Sequence, residues 1–431
     1  MLVDPAQVET LVGLDRWLAR DLAAPLIIAF SGGGDSLALL LMAQAWAGPA
    51  GRRLVAATVD HGLQSAGADW ARWCAARAGR LGVEHRTLVW EGAKPRTGLP
   101  AAARLARHAL LADLARAQGA AVILMAHTAD DVLEARRMRE DGASTPTPRS
   151  WAPSPVWPEG RGVFISRPLL DRRRADLRAW LSERGETWIE DPANEDPRFA
   201  RARAREDLAR EAATEIAFDA PPKTHFDTPM AADIAGALTF PRHAFARDGA
   251  CGPAGRALSA ALLSASGGAR PPRSEAVLRL LARLGEGARF SATLAGARLS
   301  AEDDRIVICR ESGAFRRFGG GTQLLEPGEP LVWDGRFELT TEQPGLTVRP
   351  LAGLAARLPT AERAALAKLP SQARPSLPAI VNQGGLATCP ILAQDPLVSV
   401  RSLARTRFLA AVGAIGDETA LWRVAKTART S

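Results

Sequence analysis

The chain of 431 residues is 47% hydrophobic and 24% charged, and its 55 basic against 47 acidic residues give a net charge of +8. This length predicts two or three domains with sizeable cores, whereas the lack of long apolar runs and of a signal-like N-terminus disfavours a membrane or secreted protein. The four cysteines lie far apart without a Cys-x-x-Cys pair, so we expect a reduced, cytoplasmic protein without disulfides or zinc.

The first predicted strand leads into a glycine-rich turn. Leu26–Phe30 is an apolar run, Leu37–Trp46 has a helical pattern, and Ser31-Gly32-Gly33-Gly34-Asp35-Ser36 stands between them. The backbone N–H groups of such a turn, together with the N-terminus of the next helix, suit an anion such as phosphate. No lysine follows the glycines, so this is not the Walker A pattern. Asp35 has the chemistry to hold Mg²⁺ on bound phosphates, and the alternative is a turn in which Ser and Asp act only as caps.

Strand-like and helical patterns alternate through the rest of the first half. Further strands are predicted at Leu54–Val59, His85–Trp90, Ala121–Ala126 and Val163–Ser166. Helices are predicted at Ala66–Leu81, Ala101–Gln118 and Arg172–Arg184. Repeated βα units predict an α/β fold with a doubly wound parallel sheet that helices cover on both faces. The Pro- and Ser-rich segment Ala143–Pro158 is expected to be a loop.

Polar side chains follow two of these strands at their carboxyl ends, where ligands bind in open parallel sheets. Asp60-His61 follows the second strand, and the segment with His127, Asp131 and Glu134 follows the fourth. If that segment begins a helix, the spacing of four and then three places the three side chains on one face. Such a group could hold Mg²⁺, orient a nucleophile or accept a proton. The alternatives are a capped turn at Asp60-His61 and a favourable charge of Asp130 and Asp131 at a helix N-terminus.

Arginine supplies nearly all of the positive charge, because only four of the 55 basic residues are lysines, which leaves 51 arginines. Arg104 and Arg107 lie three apart on a predicted helix, where they could reach a phosphate or form a solvated basic face. A second series comprises Arg198, Arg201, Arg203 and Arg205. These side chains could face nucleic-acid or nucleotide phosphates, or only water. The arginine excess is compatible with RNA binding and equally with a codon-usage habit.

The second half of the chain has a different pattern, which predicts an α+β region. The predicted helices and strands there are Arg256–Leu263, Ser274–Leu284, a hairpin of Phe290–Leu299 with Arg305–Arg310, Leu331–Leu339 and Leu346–Leu351. We find no chemistry-bearing motif in this half. The expected domains are therefore residues 1–205, which carry the motifs, and residues 206–431, with subdomains at about 206–315 and 316–431.

An ordered series of motifs over about the first 205 residues resembles the tRNA(Ile)-lysidine synthases. The series comprises Ser31–Ser36, Val59–Leu63, Ala103–His108, His127–Glu134, Arg167–Leu170 and Trp188–Asn194 with the second arginine series. Its first member resembles the pyrophosphate loop of enzymes that split ATP into AMP and pyrophosphate. The resemblance implies that ATP adenylates C2 of the first anticodon cytidine of tRNA(Ile) with anticodon CAU. Free lysine then displaces AMP, which makes the expected partners ATP, Mg²⁺, lysine and this tRNA.

The resemblance also implies roles for individual residues. It assigns ATP binding to Ser31, Gly32, Gly33, Gly34, Asp35, Ser36, Asp60 and His61. It assigns catalytic roles to Asp35, Arg104, Arg107, His127, Asp131 and Glu134. It assigns contact with tRNA or phosphate to Arg201, Arg203 and Arg205. Asp35 and Asp131 would hold Mg²⁺, Asp131 and Glu134 would bind metal or the lysine ammonium, and His127 would orient the adenylation step.

The chain departs from the family pattern over the segment Arg139–Ser144, where a glycine-rich segment is usual, and at four single positions. Thr128 replaces a usual second histidine, Ala135 a threonine, His108 a usual aromatic residue and Ala202 an expected asparagine. A catalytically degenerate tRNA-binding protein of the same superfamily is therefore the alternative function. Another enzyme with this loop is a weaker rival, since a thiolase would be expected to carry cysteine pairs. The oligomeric state is left open.

Overall fold

The computed structural model describes residues 13–143, 145–192, 200–210, 230–245, 252–315, 321–393, 395 and 397–430. The chain forms two compact units, Met1–Pro222 with Gly416–Trp422, and Lys223–Ile415 with Arg423–Ser431. None of the helices among the described residues is both long and apolar enough to cross a membrane. Asn194, Arg198 and Cys251, which the sequence analysis considered, lie outside the described residues.

The first unit contains a six-stranded sheet with the order β3-β2-β1-β4-β6-β5. Its strands are β1 (Leu26–Ala29), β2 (Leu54–Asp60), β3 (Glu84–Val89), β4 (Val122–Leu124), β5 (Trp151–Pro153) and β6 (Phe164–Ser166). Strand β1 pairs in parallel with β2 and β4, with Leu26 opposite Leu54 and Val122. The apolar side chains of the central strands are fully buried, which is why these segments read as continuous hydrophobic runs.

Six described helices accompany this sheet. They are α1 (Gly34–Ala47), α2 (Gly67–Arg80), α3 (Leu99–Ala117), α4 (Ala129–Glu140), α5 (Arg174–Glu183) and α6 (Ala200–Arg210). The chain builds β1, β2 and β3 outward on one side and then crosses to β4 on the other side of β1. The predicted α/β fold with a parallel sheet is confirmed, and the reversal of strand order between β1 and β4 is the place where such sheets bind ligands.

The predicted loop Ala143–Pro158 contains a strand that the sequence analysis missed. Strand β5 pairs antiparallel with β6 at the edge of the sheet, so the sheet is mixed rather than wholly parallel. Trp151 stacks on Phe164 with 5.0 Å between ring centroids and lies 6.0 Å from Trp17. An edge strand tolerates proline because its outer N–H groups need no partner, so the prolines that indicated a loop did not prevent pairing.

The described residues of the C-terminal region form three antiparallel sheets, ordered β7-β8-β11-β10-β9, β12-β15-β16-β17 and β13-β14-β18. Their strands are β7 (Ala231–Ala232), β8 (Leu238–Pro241), β9 (Phe290–Leu294), β10 (Ala297–Ala301), β11 (Arg305–Arg310), β12 (Gln323–Leu325), β13 (Leu331–Trp333), β14 (Phe337–Thr341), β15 (Leu346–Pro350), β16 (Pro378–Val381), β17 (Ala387–Thr388) and β18 (Val398–Ser402). The helices of this region are α7 (Pro253–Ser266), α8 (Ser274–Gly285), α9 (Thr360–Ala367), α10 (Ala404–Ala411) and α11 (Glu418–Thr430). The prediction of an α+β region is confirmed.

Two segments predicted as single strands are each divided by a tight turn. The backbone turns at Ala295 (φ 50°) and Gly296 (φ 81°) between β9 and β10, and at Asp334 (φ 51°) and Gly335 (φ 65°) between β13 and β14. Positive φ at two successive residues reverses the chain within very few residues. The apolar pattern runs on through both turns, so pattern alone read each hairpin as one strand.

Candidate active site

A pocket of about 870 Å³ opens at the carboxyl ends of β1, β2 and β4. Each strand end supplies part of its wall: Phe30 with the loop that follows it, Val59 with His61, and Met125 with His127. The pocket therefore occupies the position that the strand order specifies for a ligand.

The glycine loop forms one wall of the pocket and ends in helix α1, which begins at Gly34 with Gly33 as its N-cap. The Ser36 hydroxyl donates to the Gly33 carbonyl at 2.9 Å and lies 3.2 Å from the Ser31 hydroxyl. The N–H groups in the first turn of a helix have no preceding helical carbonyl to bond. They are available to phosphate oxygens that enter the pocket.

A distant segment covers this loop. The Ile189 N–H donates to the Gly32 carbonyl at 2.9 Å, and the Trp188 ring lies against Gly34. Gly32 has φ +84°, and a Cβ there would lie 2.5 Å from Ile189 Cδ1 and 2.9 Å from Cys74 Sγ. Gly32 is therefore required for packing under Ile189.

Asp35 lies at the start of α1, and its two carboxylate oxygens differ in their hydrogen bonding. Oδ2 accepts from Arg174 Nε at 3.0 Å, whereas Oδ1 is buried and makes no hydrogen bond to the described residues. Burial raises the pKa of the Asp35 carboxyl, and Arg174 opposes that shift. The unbonded Oδ1 fits a Mg²⁺ ligand. The described residues contain no group of three His, Cys, Asp or Glu side chains that could hold a metal, so Mg²⁺ here would take most of its ligands from phosphates and water.

Helix α4 begins at Ala129, with Thr128 as its N-cap. Asp131 Oδ2 accepts from the Thr128 N–H at 2.6 Å, and the Asp131 N–H donates in turn to the Thr128 side chain, which completes a capping box. The Thr128 hydroxyl also donates to Asp131 Oδ2 at 3.0 Å. Asp131 and Glu134 are both buried on this helix. His127 precedes the N-cap, so it does not share a helix face with them as the spacing had suggested. Thr128, a departure from the family pattern, orients one of the two carboxylates.

Three arginines neutralise the two carboxylates of α4. Arg201 pairs with Asp131 and, through Nε at 2.5 Å, with Glu134. Arg205 Nε lies 2.6 Å from Glu134, and Arg174 Nη1 lies 3.2 Å from it. Two members of the second arginine series thus bind carboxylates inside the first unit, whereas Arg203 on the same helix is exposed.

His127 is neutral and its tautomer is set by a neighbour. Arg167 Nε donates to His127 Nδ1 at 3.2 Å, so the neutral ring carries its proton on Nε2. Burial, followed by the charges of Arg167 and Arg107, holds the pKa of His127 well below its usual range. His127 lines the pocket and can therefore act as a hydrogen-bond donor at neutral pH.

Helix α3 brings two arginines and a histidine towards this region. Arg107 lines the pocket, and its Nε has no partner among the described residues, whereas Arg104 is exposed. Burial and the charge of Arg104 lower the pKa of Arg107 to about 10, which still leaves it positive at neutral pH. His108 is buried, and neither ring nitrogen bonds a described residue.

Of the predicted pair Asp60-His61 at the end of β2, His61 alone is among the pocket-lining residues. Burial lowers the pKa of the His61 imidazole. Asp60 Oδ1 instead accepts from the Gly62 N–H at 2.8 Å, which is the turn-type contact that the sequence left open.

Arg167 and Arg174 bond predicted site residues but were not themselves predicted as site residues. Arg167 appeared only as part of a motif, and Arg174 only within a predicted helix. Arg174 stands in a run of three arginines, Arg172–Arg174, and nothing in the sequence distinguishes it from its neighbours. Only the tertiary structure shows that Arg174 lies opposite the predicted carboxylates.

The chain is similar to known proteins over most of its length. The family described as "PP-loop domain" matches residues 10–212. A tRNA(Ile)-lysidine synthase of Caulobacter vibrioides is 46% identical over 94% of this chain and 97% of its own length. Enzymes of the same name from Hyphomonas neptunium and Methylobacterium nodulans are 38% and 40% identical, over 68% and 74% of this chain and 83% and 94% of their own lengths.

Proposed function

Because the chain belongs to the tRNA(Ile)-lysidine synthase family, we propose that it joins free lysine to the first anticodon cytidine of tRNA(Ile) with anticodon CAU. It is an ATP-dependent ligase that acts on tRNA. The observation that supports the proposal most strongly is one pocket lined by the glycine loop, by Arg107 and by Asp131, one of the two buried carboxylates of α4. The relatives lend no support to a catalytically degenerate protein.

The reaction has two steps. The C2 carbonyl oxygen of the cytidine attacks the α-phosphorus of ATP, a new P–O bond forms, and the bond to pyrophosphate breaks. An amine of lysine then attacks C2 and loses a proton, while the C2–O bond breaks and AMP leaves with that oxygen. AMP is already a good leaving group, so the binding and orientation of the reactants carry most of the catalysis.

The first step depends on the loop Ser31–Ser36 and on Arg107. The N–H groups at the start of α1 hold the phosphates, and Arg107 offsets negative charge as pyrophosphate leaves. His127 donates through Nε2 to an oxygen of the reacting groups and orients them. Mg²⁺, with Asp35 as a protein ligand and Asp131 as a second candidate, would neutralise the triphosphate.

The second step depends on Asp131 and Glu134. Their carboxylates hold the lysine through an ammonium group, so that its other amine reaches C2. Thr128 keeps the Asp131 carboxylate in place through two hydrogen bonds.

We assign catalysis to about residues 1–205 and tRNA binding to residues 206–431, with subdomains at about 206–315 and 316–431, and contact of Arg203 with tRNA. We also propose a cytoplasmic location, where ATP, free lysine and tRNA are available.

The experiment is lysine incorporation into tRNA. Purified protein is incubated with tRNA(Ile) of anticodon CAU, ATP, Mg²⁺ and radiolabelled lysine, and labelled tRNA is counted. Asp35→Ala is expected to lower incorporation by about 100-fold or more, because the loop loses its charged ligand for the metal. Asp69→Ala, which removes an exposed carboxylate of α2, is the matched control and should incorporate lysine like the wild type. A wild-type protein that binds this tRNA but adds no lysine would overturn the proposed function.

A further inference from the structure

Arginines balance the charge of the three carboxylates beside the glycine loop. Three carboxylates, Asp35, Asp131 and Glu134, face three guanidinium groups, those of Arg174, Arg201 and Arg205. The side chains of Glu134 and Asp131 are only 2% and 8% exposed, so water does little to screen them. The carboxylates that would receive the lysine ammonium are therefore already occupied by protein cations.

Arg174 contacts all three carboxylates. Its Nε lies 3.0 Å from Asp35, its Nη1 3.2 Å from Glu134 and its Nη2 3.6 Å from Asp131. Its side chain is 19% exposed, and its backbone N–H donates to Asp130 at 2.7 Å, which anchors the start of α5. Arg174 thus joins the carboxylate of the phosphate-binding loop to the carboxylate pair of α4.

This arrangement has opposite consequences for anions and cations. A lysine ammonium that enters the nucleotide-free pocket meets carboxylates that are already neutralised, so it gains little attraction. A triphosphate on the loop brings negative charge beside Asp35 and competes for the nearby guanidinium groups, since arginine binds phosphate with paired, charge-assisted hydrogen bonds. Each guanidinium that turns to phosphate leaves carboxylate charge available to a new cation.

We propose that Arg174 is a positioning residue that couples nucleotide binding to lysine binding. In the nucleotide-free enzyme it neutralises Asp131 and Glu134. When ATP occupies the loop, Arg174 turns to the phosphates and withdraws one of the three positive charges that pair with Asp131 and Glu134, so carboxylate charge becomes available to the lysine ammonium. Lysine then binds well only after ATP, which prevents it from filling the pocket before the nucleotide is in place. This inference rests on the proposed function, because it takes lysine as the second substrate.

The wild-type enzyme provides the first test. Binding of radiolabelled lysine is measured by equilibrium dialysis without nucleotide and with saturating α,β-methylene ATP and Mg²⁺, an analogue that cannot release pyrophosphate. We expect the analogue to tighten lysine binding by about tenfold or more. By linkage, saturating lysine should tighten binding of the analogue by the same factor.

Three variants identify the residue responsible. Arg174→Gln should lower the coupling factor at least about threefold, chiefly because lysine binds more tightly to the nucleotide-free variant. Arg174→Lys keeps the charge and should restore most of the coupling. Arg173→Gln removes the same charge from the neighbouring residue, which pairs with Asp130 instead, and should leave the coupling unchanged. A purely structural role would change stability without changing the ratio of the two lysine affinities, so melting temperatures are recorded alongside.

The outcomes distinguish failure of the inferred coupling from failure of the proposed function. If the wild type incorporates lysine into tRNA but binds lysine equally well with and without the analogue, the coupling is refuted. If Arg174→Gln keeps the wild-type coupling factor, the assignment to Arg174 is refuted. If the wild type incorporates no lysine, the proposed function fails and the inference fails with it. The wild-type comparison stands even if a variant does not fold.

Discussion

At the scale of single residues, His108 shows how a basic active site lowers the stability of the protein at acidic pH. Its imidazole is 1% exposed, and burial, followed by the charges of Arg107, Arg104 and Arg167, lowers its pKa to about 3. The folded protein therefore keeps His108 neutral where the unfolded chain binds a proton below about pH 6.5. Because the unfolded state binds more protons in that range, stability falls as the pH drops from about 6.5 towards 3.

His108→Phe should remove this sensitivity to acid. The change deletes two ring nitrogens that bond no described residue and restores an aromatic ring of similar size. Because the pKa of His108 in the folded protein is about 3, this one group lowers the wild-type free energy of unfolding by about 2 kcal/mol at pH 5 relative to neutral pH. The drop in apparent melting temperature between pH 7 and pH 5 should be smaller in the variant. His243→Gln changes an exposed histidine and should keep the wild-type drop. An equal drop in His108→Phe would contradict this account.

At the scale of elements, the glycine loop and the segment Trp188-Ile189 form one packed structure. The loop owes its shape to positive φ at Gly32 and to an absent side chain beneath Ile189. The anion-binding geometry at the start of α1 therefore depends on a segment more than 150 residues away in the chain. Neither motif reveals this dependence by itself.

Gly32→Ala should weaken nucleotide binding about tenfold or more, because the new methyl group is strained at positive φ and collides with Ile189 and Cys74. Binding of α,β-methylene ATP, measured by calorimetry, provides the test. The control is Gly79→Ala in α2, where no atom lies within 4 Å of the added Cβ. That variant should have a slightly higher melting temperature, because alanine favours a helix and raises the free energy of unfolding by up to about 1 kcal/mol. Wild-type nucleotide affinity in Gly32→Ala would show that the loop tolerates the side chain.

At the scale of the whole molecule, the chain returns to its first unit near its end. Residues Gly416–Trp422 belong to that unit, and within it Glu418 pairs with Arg52 through both carboxylate oxygens, at 2.9 and 2.5 Å. The two side chains are 1% and 0% exposed. Glu418 also accepts from the Ala19 N–H at 3.2 Å, so the N-terminal fold includes residues almost 400 positions downstream.

Glu418→Ala should destabilise the first unit by about 3–5 kcal/mol, because it leaves the Arg52 guanidinium buried without its counter-charge. Melting of the first unit, followed with bound nucleotide analogue as a reporter, measures the effect. The matched control is Glu140→Ala, which removes a carboxylate from an exposed pair with Arg136 and should cost less than about 1 kcal/mol. Equal melting of the two variants would mean that the C-terminal segment does not stabilise this unit.

The sequence predicted the fold best where one physical signal dominated. Buried parallel strands are continuous apolar runs, so Leu26–Phe30 and Leu54–Val59 were recognised almost to the residue. The failures share a cause. Strand β5 is stabilised by pairing with β6 and by aromatic stacking, which local composition does not record. The hairpin turns at Ala295 and Asp334 need positive φ at residues that carry side chains, which an apolar pattern does not reveal.

The sequence by itself determined the class of the site, because Ser31–Ser36 and the groups after β2 and β4 must meet at one edge of a parallel sheet. Only the tertiary structure decided how the charges inside that site are distributed. Which guanidinium faces which carboxylate depends on the direction and packing of α4, α5 and α6 rather than on spacing along the chain. For the same reason, only the structure identified Arg174 as the link between the loop and the carboxylate pair, and Glu418 as part of the first unit.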